Sequence, residues 1–562
     1  MHTPGWQFDR GSLSAGRSGG RTARPAGGVL TAALTLLVAV VGALNYFWLL
    51  NNTIPPHWDS ANHMISALKY HAVLSQCFDP SLFTLPGLKH CVGELVYVDR
   101  FVYGPLFPFS GGLAVFLAGN STTALTMMNL PFLAVLIICT YLIGCAFHSR
   151  VAGLLAALLV IAYPLVLLFS REFMLEVPML AMTAAAAYFL IAADRFRYTA
   201  ATILFGVTLG LGALTKFTLL TFLAGPGVYV FACLLTDIAR RRIDSPTALR
   251  RLAGLAGTLV LALAIAAVWY WPNRTDFLDA LNSVRSVDTT RQPLLATASL
   301  MYYVNAMPWH QMGLPLFALF IFGLIRFGPH VSAGHRTFLI VWLGSIYLIH
   351  TFGSFKAVHN DIGVLLPAAV ISAIGIASLG RSRPVAVAIV IGFAGLQTAV
   401  FTLPASFLAA RTGTFGWSGD GRPGVDASPR PEDWRVEGAL RSLAARPVRV
   451  AVVSDHIFIN GTTLDFYRMQ NDLPAEVAPC WRLGREGTDP LDFSRFDVVL
   501  AKSDDGWVRR GAVGCFIGPN GREEYGAVIR RLEDPSAGFA LRQSIPLPDG
   551  SSLLVFGAQG VD

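Results

Sequence analysis

Eleven apolar runs dominate the chain, near residues 29–50, 122–147, 151–168, 177–193, 199–214, 217–235, 252–271, 309–325, 337–351, 361–379 and 384–404. A helix needs about 20 apolar residues to cross a bilayer, and most of these runs approach that length. Inside hydrocarbon the backbone can bond only to itself, so such runs fold as helices. Composition agrees: 54% of the 562 residues are hydrophobic and 14% are charged, against about 25% charged in a soluble domain. The predicted fold class is a polytopic α-helical membrane protein of eleven spans followed by a soluble α/β domain.

The formal charge of +8 does not point to nucleic acid, because of where it sits. With residues 1–28 placed in the cytoplasm, the inner connections hold 16 Lys and Arg in 69 residues, and the outer ones hold 9 in about twice that length. Residues 405–562 carry 18 basic and 21 acidic residues. This is the positive-inside asymmetry. It predicts a cytoplasmic N-terminus, with the C-terminal domain on the outer side. Arg10, Arg17, Arg21 and Arg24 precede a first run too long for a cleaved signal peptide, so it reads as a signal anchor. The bias of 38 Arg to 5 Lys suggests a GC-rich bacterial genome. The expected location is therefore a bacterial inner membrane, with residues 405–562 in the periplasm.

The expected organisation is a disordered basic tail over 1–28, a membrane part over 29–404, a Gly/Pro/Asp-rich linker over 405–431 and an α/β domain over 432–562. In that domain 448–453, 496–501 and 551–556 read as strands, with Pro548-Asp549-Gly550 as a hairpin turn and helices near 433–445 and 523–532. In the outer loop 51–121, Trp58, Ala61, Ile65, Leu68 and Ala72 recur at helical spacing opposite Asp59, His63, Ser66 and Tyr70. That pattern predicts an amphipathic helix lying on the membrane surface. Residues 106–117, interrupted by Gly111 and Gly112, are short for a span and read as re-entrant or interfacial. Cys77 and Cys91 share the outer loop, and Cys480 and Cys515 share the outer domain. Two disulfides, Cys77–Cys91 and Cys480–Cys515, are expected on that oxidising side, with four free thiols as the alternative.

Chemistry-bearing residues gather near the outer ends of the spans: Asp59, His63, Lys69, Arg100, Arg171, Glu172, Glu176, Lys216, Lys356 and His359. Ionisable groups held at that depth are functional candidates; snorkelling is the alternative. A divalent-metal set of His57, His63 and Glu94 is a further candidate. Tyr302, Tyr303, Trp309 and His310 fit either a sugar site or an interfacial aromatic belt. There is no GxGxxG, P-loop, metal-spaced Cys/His set or internal repeat.

These residues resemble a known family. An Asp after the first span followed by a surface helix is similar to the first outer loop of the GT-C glycosyltransferases, in particular the lipid A aminoarabinose transferases and protein O-mannosyltransferases. Phe169-Ser170-Arg171-Glu172-Phe173-Met174-Leu175-Glu176-Val177-Pro178 resembles their second outer loop. Leu209-Gly210-Leu211-Gly212-Ala213-Leu214-Thr215-Lys216 is similar to their Gly-Leu-x-x-Leu-Thr-Lys motif. Lys356-Ala357-Val358-His359-Asn360, then Pro367, resembles Lys-x-x-Arg-Tyr-x-x-Pro. Two departures touch positions expected near the donor. Tyr103-Gly104-Pro105-Leu106 stands where the aminoarabinose transferases have Lys-Pro-Pro-Leu, and His359-Asn360 stands where the motif has Arg-Tyr.

The resemblance implies an inverting glycosyltransferase using a polyprenyl-phosphate sugar, with a glycan, lipid or protein as acceptor. Asp59, at a helix start where the dipole favours the ionised form, is the expected general base. Glu176 or Glu172 would orient the acceptor or share that role. Lys216, Lys356, Arg171, His63 and Arg100 are the expected donor-phosphate and substrate contacts, and a protonated His359 would replace the missing arginine. The competing readings are a lipid-linked sugar transporter or flippase, disfavoured by spans with few mid-membrane charges, and a non-catalytic subunit of a cell-envelope glycan assembly.

Overall fold

The computed structural model describes residues 27–99, 103–286, 295–353, 356–403, 429–480, 493–504 and 521–559. Arg100, Cys515, the tail over 1–26 and most of the linker lie outside them. The chain runs through α1 (Gly27–Leu50), α2 (Trp58–Cys77), α3 (Leu85–Tyr97), α4 (Leu106–Ala118), α5 (Thr122–Met127) and α6 (Asn129–Phe147). It continues through α7 (Arg150–Ala162), α8 (Pro164–Ser170), α9 (Glu176–Ala192), α10 (Thr199–Ala213), α11 (Leu219–Ala239) and α12 (Ser245–Tyr270). Then follow α13 (Arg274–Ser286), α14 (Thr297–Ala306), α15 (Leu314–Arg326), α16 (Ala333–Thr351), α17 (Leu365–Ala377) and α18 (Arg383–Thr402).

Each run read as a span falls on one or two of these helices. By length and composition, five are able to cross a membrane: Gly28–Leu50, Thr122–Phe147, Leu219–Ala239, Ser245–Tyr270 and Gly380–Thr402. The pair α7 and α8 would make a sixth, bent by 66° at Pro164. Proline cannot continue a helical bond ladder, and the break leaves last-turn carbonyls open. Gln397 on α18 answers one of them, donating to the Ala162 carbonyl at 2.7 Å and to the Met312 carbonyl at 3.0 Å. The run predicted over 309–325 starts later than expected. Gly313, with φ 75°, ends a π-helical turn at Met307–Gln311, and Pro315 opens α15.

At the centre of the bundle α17 is buried along its whole length, and α9 nearly so. A Cβ on Gly375 would lie 2.6 Å from the Cα of Gly323. Small residues there let the backbones of α15 and α17 touch, the usual device of membrane helix packing.

The C-terminal part adds α19 (Val436–Leu443), β1 (Val448–Val452), α20 (Gly461–Gln470), β2 (Ala475–Pro479), β3 (Val498–Lys502), α21 (Gly521–Glu533), β4 (Phe539–Pro546) and β5 (Ser552–Ala558). The sheet order is β2-β1-β3-β5-β4, with β1 parallel to β2 and β3, and β5 antiparallel to β3 and β4. The two strands absent from the sequence reading are its edges. β2 ends in Pro479, and β4 carries exposed Leu-Arg-Gln-Ser in its middle, the composition of a protected edge.

This unit sits on the loop 51–121. Thr463 Oγ1 donates to the Pro56 carbonyl at 2.9 Å, Asn120 Nδ2 to the Gln470 carbonyl at 2.8 Å, and Thr53 N to the Arg430 carbonyl at 2.9 Å. One apolar cluster joins Ala61, Ile65 and Leu68 of α2 to Phe107 of α4 and to Leu464 and Phe466 of α20. The surface-lying helix of the sequence reading is thereby corrected. α2 is sandwiched, with α4 on one side and α20 on another, so His63, Ser66 and Tyr70 on its polar stripe are also buried. α4 reaches it through Gly111 and Gly112, where a Cβ would come within 2.9 Å of the Ala67 Cβ and 2.8 Å of the His71 amide nitrogen. With 13 residues and a rise of about 1.5 Å each, α4 falls short of a span. Cys77 and Cys91 are bonded, tying the end of α2 to α3, and Cys139, Cys145 and Cys233 are free thiols.

Candidate active site

Four segments converge at the end of the bundle that meets the sheet. The first is the N-terminus of α2. Pro55 and Pro56 hold the approach extended, His57 takes the N-cap position, and Asp59 falls in the first turn, where a helix favours negative charge. Asp59 is exposed, and its carboxylate makes no hydrogen bond or ion pair among the described residues. Its charge acts on His57, His63, Lys216 and His359.

The second segment joins α8 to α9. Asn129 Nδ2 donates to the Glu172 carbonyl at 2.7 Å, and Phe173 stacks on Phe107 at 4.3 Å. The loop so fixed turns its two acids apart. Glu172 meets His57, Oε2 to Nε2 at 3.2 Å. Glu176, at the start of α9 and 1% exposed, accepts from Lys216 Nζ at 2.8 Å. Burial works against protonated His57, but Glu172 beside it wins and holds the imidazole above its usual range.

The third segment is the turn Leu214-Thr215-Lys216 after α10. The segment carrying Tyr103 crosses it closely enough that a Cβ on Gly104 would lie 2.3 Å from the Leu214 carbonyl oxygen. Leu106 N also donates to that oxygen at 3.0 Å. The crossing lays the Tyr103 ring 5.2 Å under the Lys216 ammonium and 5.9 Å from the His63 ring. Burial opposes the charge on Lys216, yet Glu176 keeps the ammonium above its ordinary range. Burial pushes His63 below its own.

The fourth is the segment after α16. His359 Nε2 lies 4.0 Å from Glu176 Oε1, its ring edge-on to Phe169 at 5.5 Å. Burial pushes His359 below the usual imidazole range despite Glu176. Lys356 donates to the carbonyls of His350, Thr351 and Gly353, capping the end of α16, with its ammonium 5.6 Å from the Tyr303 ring.

Two other expected contacts are elsewhere. Arg171 is buried away from solvent, donating to Asn45 Oδ1 at 3.1 Å, to Thr402 Oγ1 at 2.6 Å and to the Phe401 carbonyl. It ties α1 to α18, which corrects its reading as a phosphate ligand. Lys69 pairs with Asp99 at 3.1 Å. Arg100 lies outside the described residues. His57, His63 and Glu94 do not come together as a metal set: Glu94 is exposed on α3. Among the described residues no group of three or more His, Cys, Asp or Glu is placed to hold a metal ion.

Comparison with known proteins gives the architecture its place. Residues 103–271 match the family model described as dolichyl-phosphate-mannose-protein mannosyltransferase, a stretch containing Tyr103, Glu172, Glu176 and Lys216. ArnT from Cupriavidus metallidurans in the apo state superposes with TM-score 0.55 at 13% identity, over 93% of this chain and 98% of that one. The chain has the GT-C fold. ArnT bound to undecaprenyl phosphate superposes equally well, with TM-score 0.55 at 12% identity over 93% and 97% of the two chains. The arabinofuranosyltransferase AftD from Mycobacteria gives TM-score 0.53 at 14% identity, over 94% of this chain and 40% of that one. No curated protein sequence matches. The GT-C resemblance is thus borne out at the level of the fold. Sequence reasoning missed the pairing of His57 with Glu172 and the placing of Tyr103 under Lys216, because both join segments far apart in the chain.

Proposed function

We propose that this GT-C protein is an inverting glycosyltransferase that moves a sugar from a polyprenyl-phosphate donor to an acceptor hydroxyl at the outer face of the membrane. One observation carries the reading: an unbonded, exposed carboxylate at Asp59 faces a buried Glu176–Lys216 pair at the same end of the bundle. In this reaction Asp59 takes the proton of the acceptor hydroxyl. The freed oxygen attacks the anomeric carbon from the side opposite the phosphate, inverting it. The bond between that carbon and the phosphate oxygen breaks, and the electron pair leaves with the lipid phosphate. Lys216 is the cation assigned to the developing charge, and Glu176 holds it in place. Glu172, 3.2 Å from the His57 ring nitrogen, favours the charged form of that imidazole against its burial, which would add a second cationic group near Asp59.

Undecaprenyl phosphate bound by the ArnT neighbour is the kind of lipid such a donor leaves behind, which supports the donor class. Among the described residues no three His, Cys, Asp or Glu are grouped to hold a metal ion, and no step is drawn through one. The sheet packed on α2 is proposed to shape the acceptor side, with residues 29–404 as the catalytic membrane part. Mass spectrometry of lipids that co-purify with the full chain tests the donor. A polyprenyl phosphate or its glycosylated form is expected; other phospholipids alone would count against the reading.

A further inference from the structure

Behind His359 lies a pair that the reaction above does not use. Gln311, in the π-helical turn Met307–Gln311, and Asp361, just before α17, are both fully buried. Gln311 Nε2 donates to Asp361 Oδ1 at 2.7 Å and to the Val358 carbonyl at 2.8 Å. Those two bonds use both amide protons. What remains is unbalanced: Gln311 Oε1 and Asp361 Oδ2 are buried acceptors with no partner. No ion pair reaches Asp361 among the described residues. A carboxylate enclosed in this way would be a buried charge without a counter-charge, which is strongly unfavourable. Buried polar atoms are otherwise nearly always bonded.

One proton resolves all three difficulties. Placed on Asp361 Oδ2, it removes the charge, turns one orphan acceptor into a donor and supplies the other with a partner. An amide and a carboxylic acid then face each other edge to edge, N–H to O on one side and O–H to O on the other. We propose that Asp361 is held as a neutral carboxylic acid paired with Gln311, and that this pair pins the turn 358–361 so that His359 reaches Glu176. The turn itself is tight, with Ile362 N donating to the His359 carbonyl at 3.1 Å and Asn360 N to the Ala357 carbonyl at 3.0 Å. The second bond from Gln311, to Val358, fixes its near end. Gln311 and Asp361 are therefore positioning residues. The acid–amide pair stands on its own geometry; the positioning role rests on the glycosyl-transfer reading.

The test uses the full chain in lipid nanodiscs. Infrared difference spectroscopy is expected to show a protonated-carboxyl band that disappears in Asp361→Asn. Hydrogen exchange over 356–361 is expected to stay at the wild-type rate in Asp361→Asn, whose amide reproduces both bonds to Gln311. It should accelerate about 10- to 100-fold in Gln311→Met, the range that follows loss of a buried hydrogen-bonding partner. Absence of the band, or unchanged exchange in Gln311→Met, overturns the pair. If Gln311→Met unfolds globally, seen as lost protection throughout α17, the presence of the band in the wild type and its loss in Asp361→Asn decide. For the positioning role, Gln311→Met and His359→Ala should lower transfer by similar factors, and the double variant by no more than either. Multiplying losses would show that Gln311 does not act through His359. A wild-type chain without transfer activity would contradict the functional reading, while the band and the exchange rates still judge the pair.

Discussion

Glu176 and Lys216 form a tight, buried ion pair inside the candidate site, and the structure predicts how each will fare alone. Glu176 is 1% exposed and the Lys216 side chain 13%. Removing one partner of a buried pair costs about 3–5 kcal/mol, because the other is left as an uncompensated charge. Lys216→Met strands the deeper group and should sit near the upper end of that range. Glu176→Gln strands an ammonium that still has the Tyr103 ring 5.2 Å away and some access to water, so it should sit near or below the lower end. The double variant leaves no stranded charge. It should therefore be less destabilised than the sum of the singles, with a coupling of about 2–4 kcal/mol. His359, 4.0 Å from Glu176, adds a pH dependence. Its folded pKa lies below the ordinary value, so it is neutral near pH 7, and acidification should protonate it and partly relieve Lys216→Met. Equilibrium unfolding of the four proteins in nanodiscs measures the cycle. Additive losses, or a Glu176→Gln cost equal to that of Lys216→Met, would refute the reasoning.

Three further outcomes are expected. Gly104→Ala forces a methyl to 2.3 Å from the Leu214 carbonyl oxygen; the segment must shift, at a cost of about 1–3 kcal/mol, and thermal unfolding together with transfer rate should both register it. Cys77→Ser opens the bridge to Cys91, 14 residues on, and should cost about 3 kcal/mol, read as faster proteolysis within 77–91. For His57, the folded pKa is raised above the ordinary 6.5 by Glu172. Its contribution to stability is therefore fully present below pH 6.5 and is lost as pH rises through the folded value. Glu172→Gln should flatten that part of the stability–pH curve, and an unchanged curve would rule the pairing out.

The apolar helices were legible because hydropathy is a local property, and reading the runs needed no knowledge of their neighbours; five of the helices, or six with the bent pair, are long and apolar enough to cross a membrane. Glu176 and Lys216 were legible as members of short motifs. What periodicity cannot reveal is the identity of the covering partner. The apolar face of α2 was visible, but not that α20, some 400 residues later, would lie against it. Arg171 looked like the other outer-end cations by position, and only its bonds to Asn45 and Thr402 show it serving the packing of α1 and α18. Lys356 likewise sits where a phosphate ligand was expected, yet its ammonium caps α16. Gln311 and Asp361 carried no motif at all; burial with two unpaired acceptors is a property of the folded state alone.

Asp59 bears the weight of the functional proposal. It is exposed and unbonded, so Asp59→Asn should leave stability unchanged while removing the proton acceptor. The decisive measurement is the initial rate of transfer from a polyprenyl-phosphate sugar by wild-type and Asp59→Asn protein in proteoliposomes, with unfolding measured alongside. A loss of about 10²–10⁴-fold at unaltered stability is predicted. Transfer by Asp59→Asn at the wild-type rate would contradict the account.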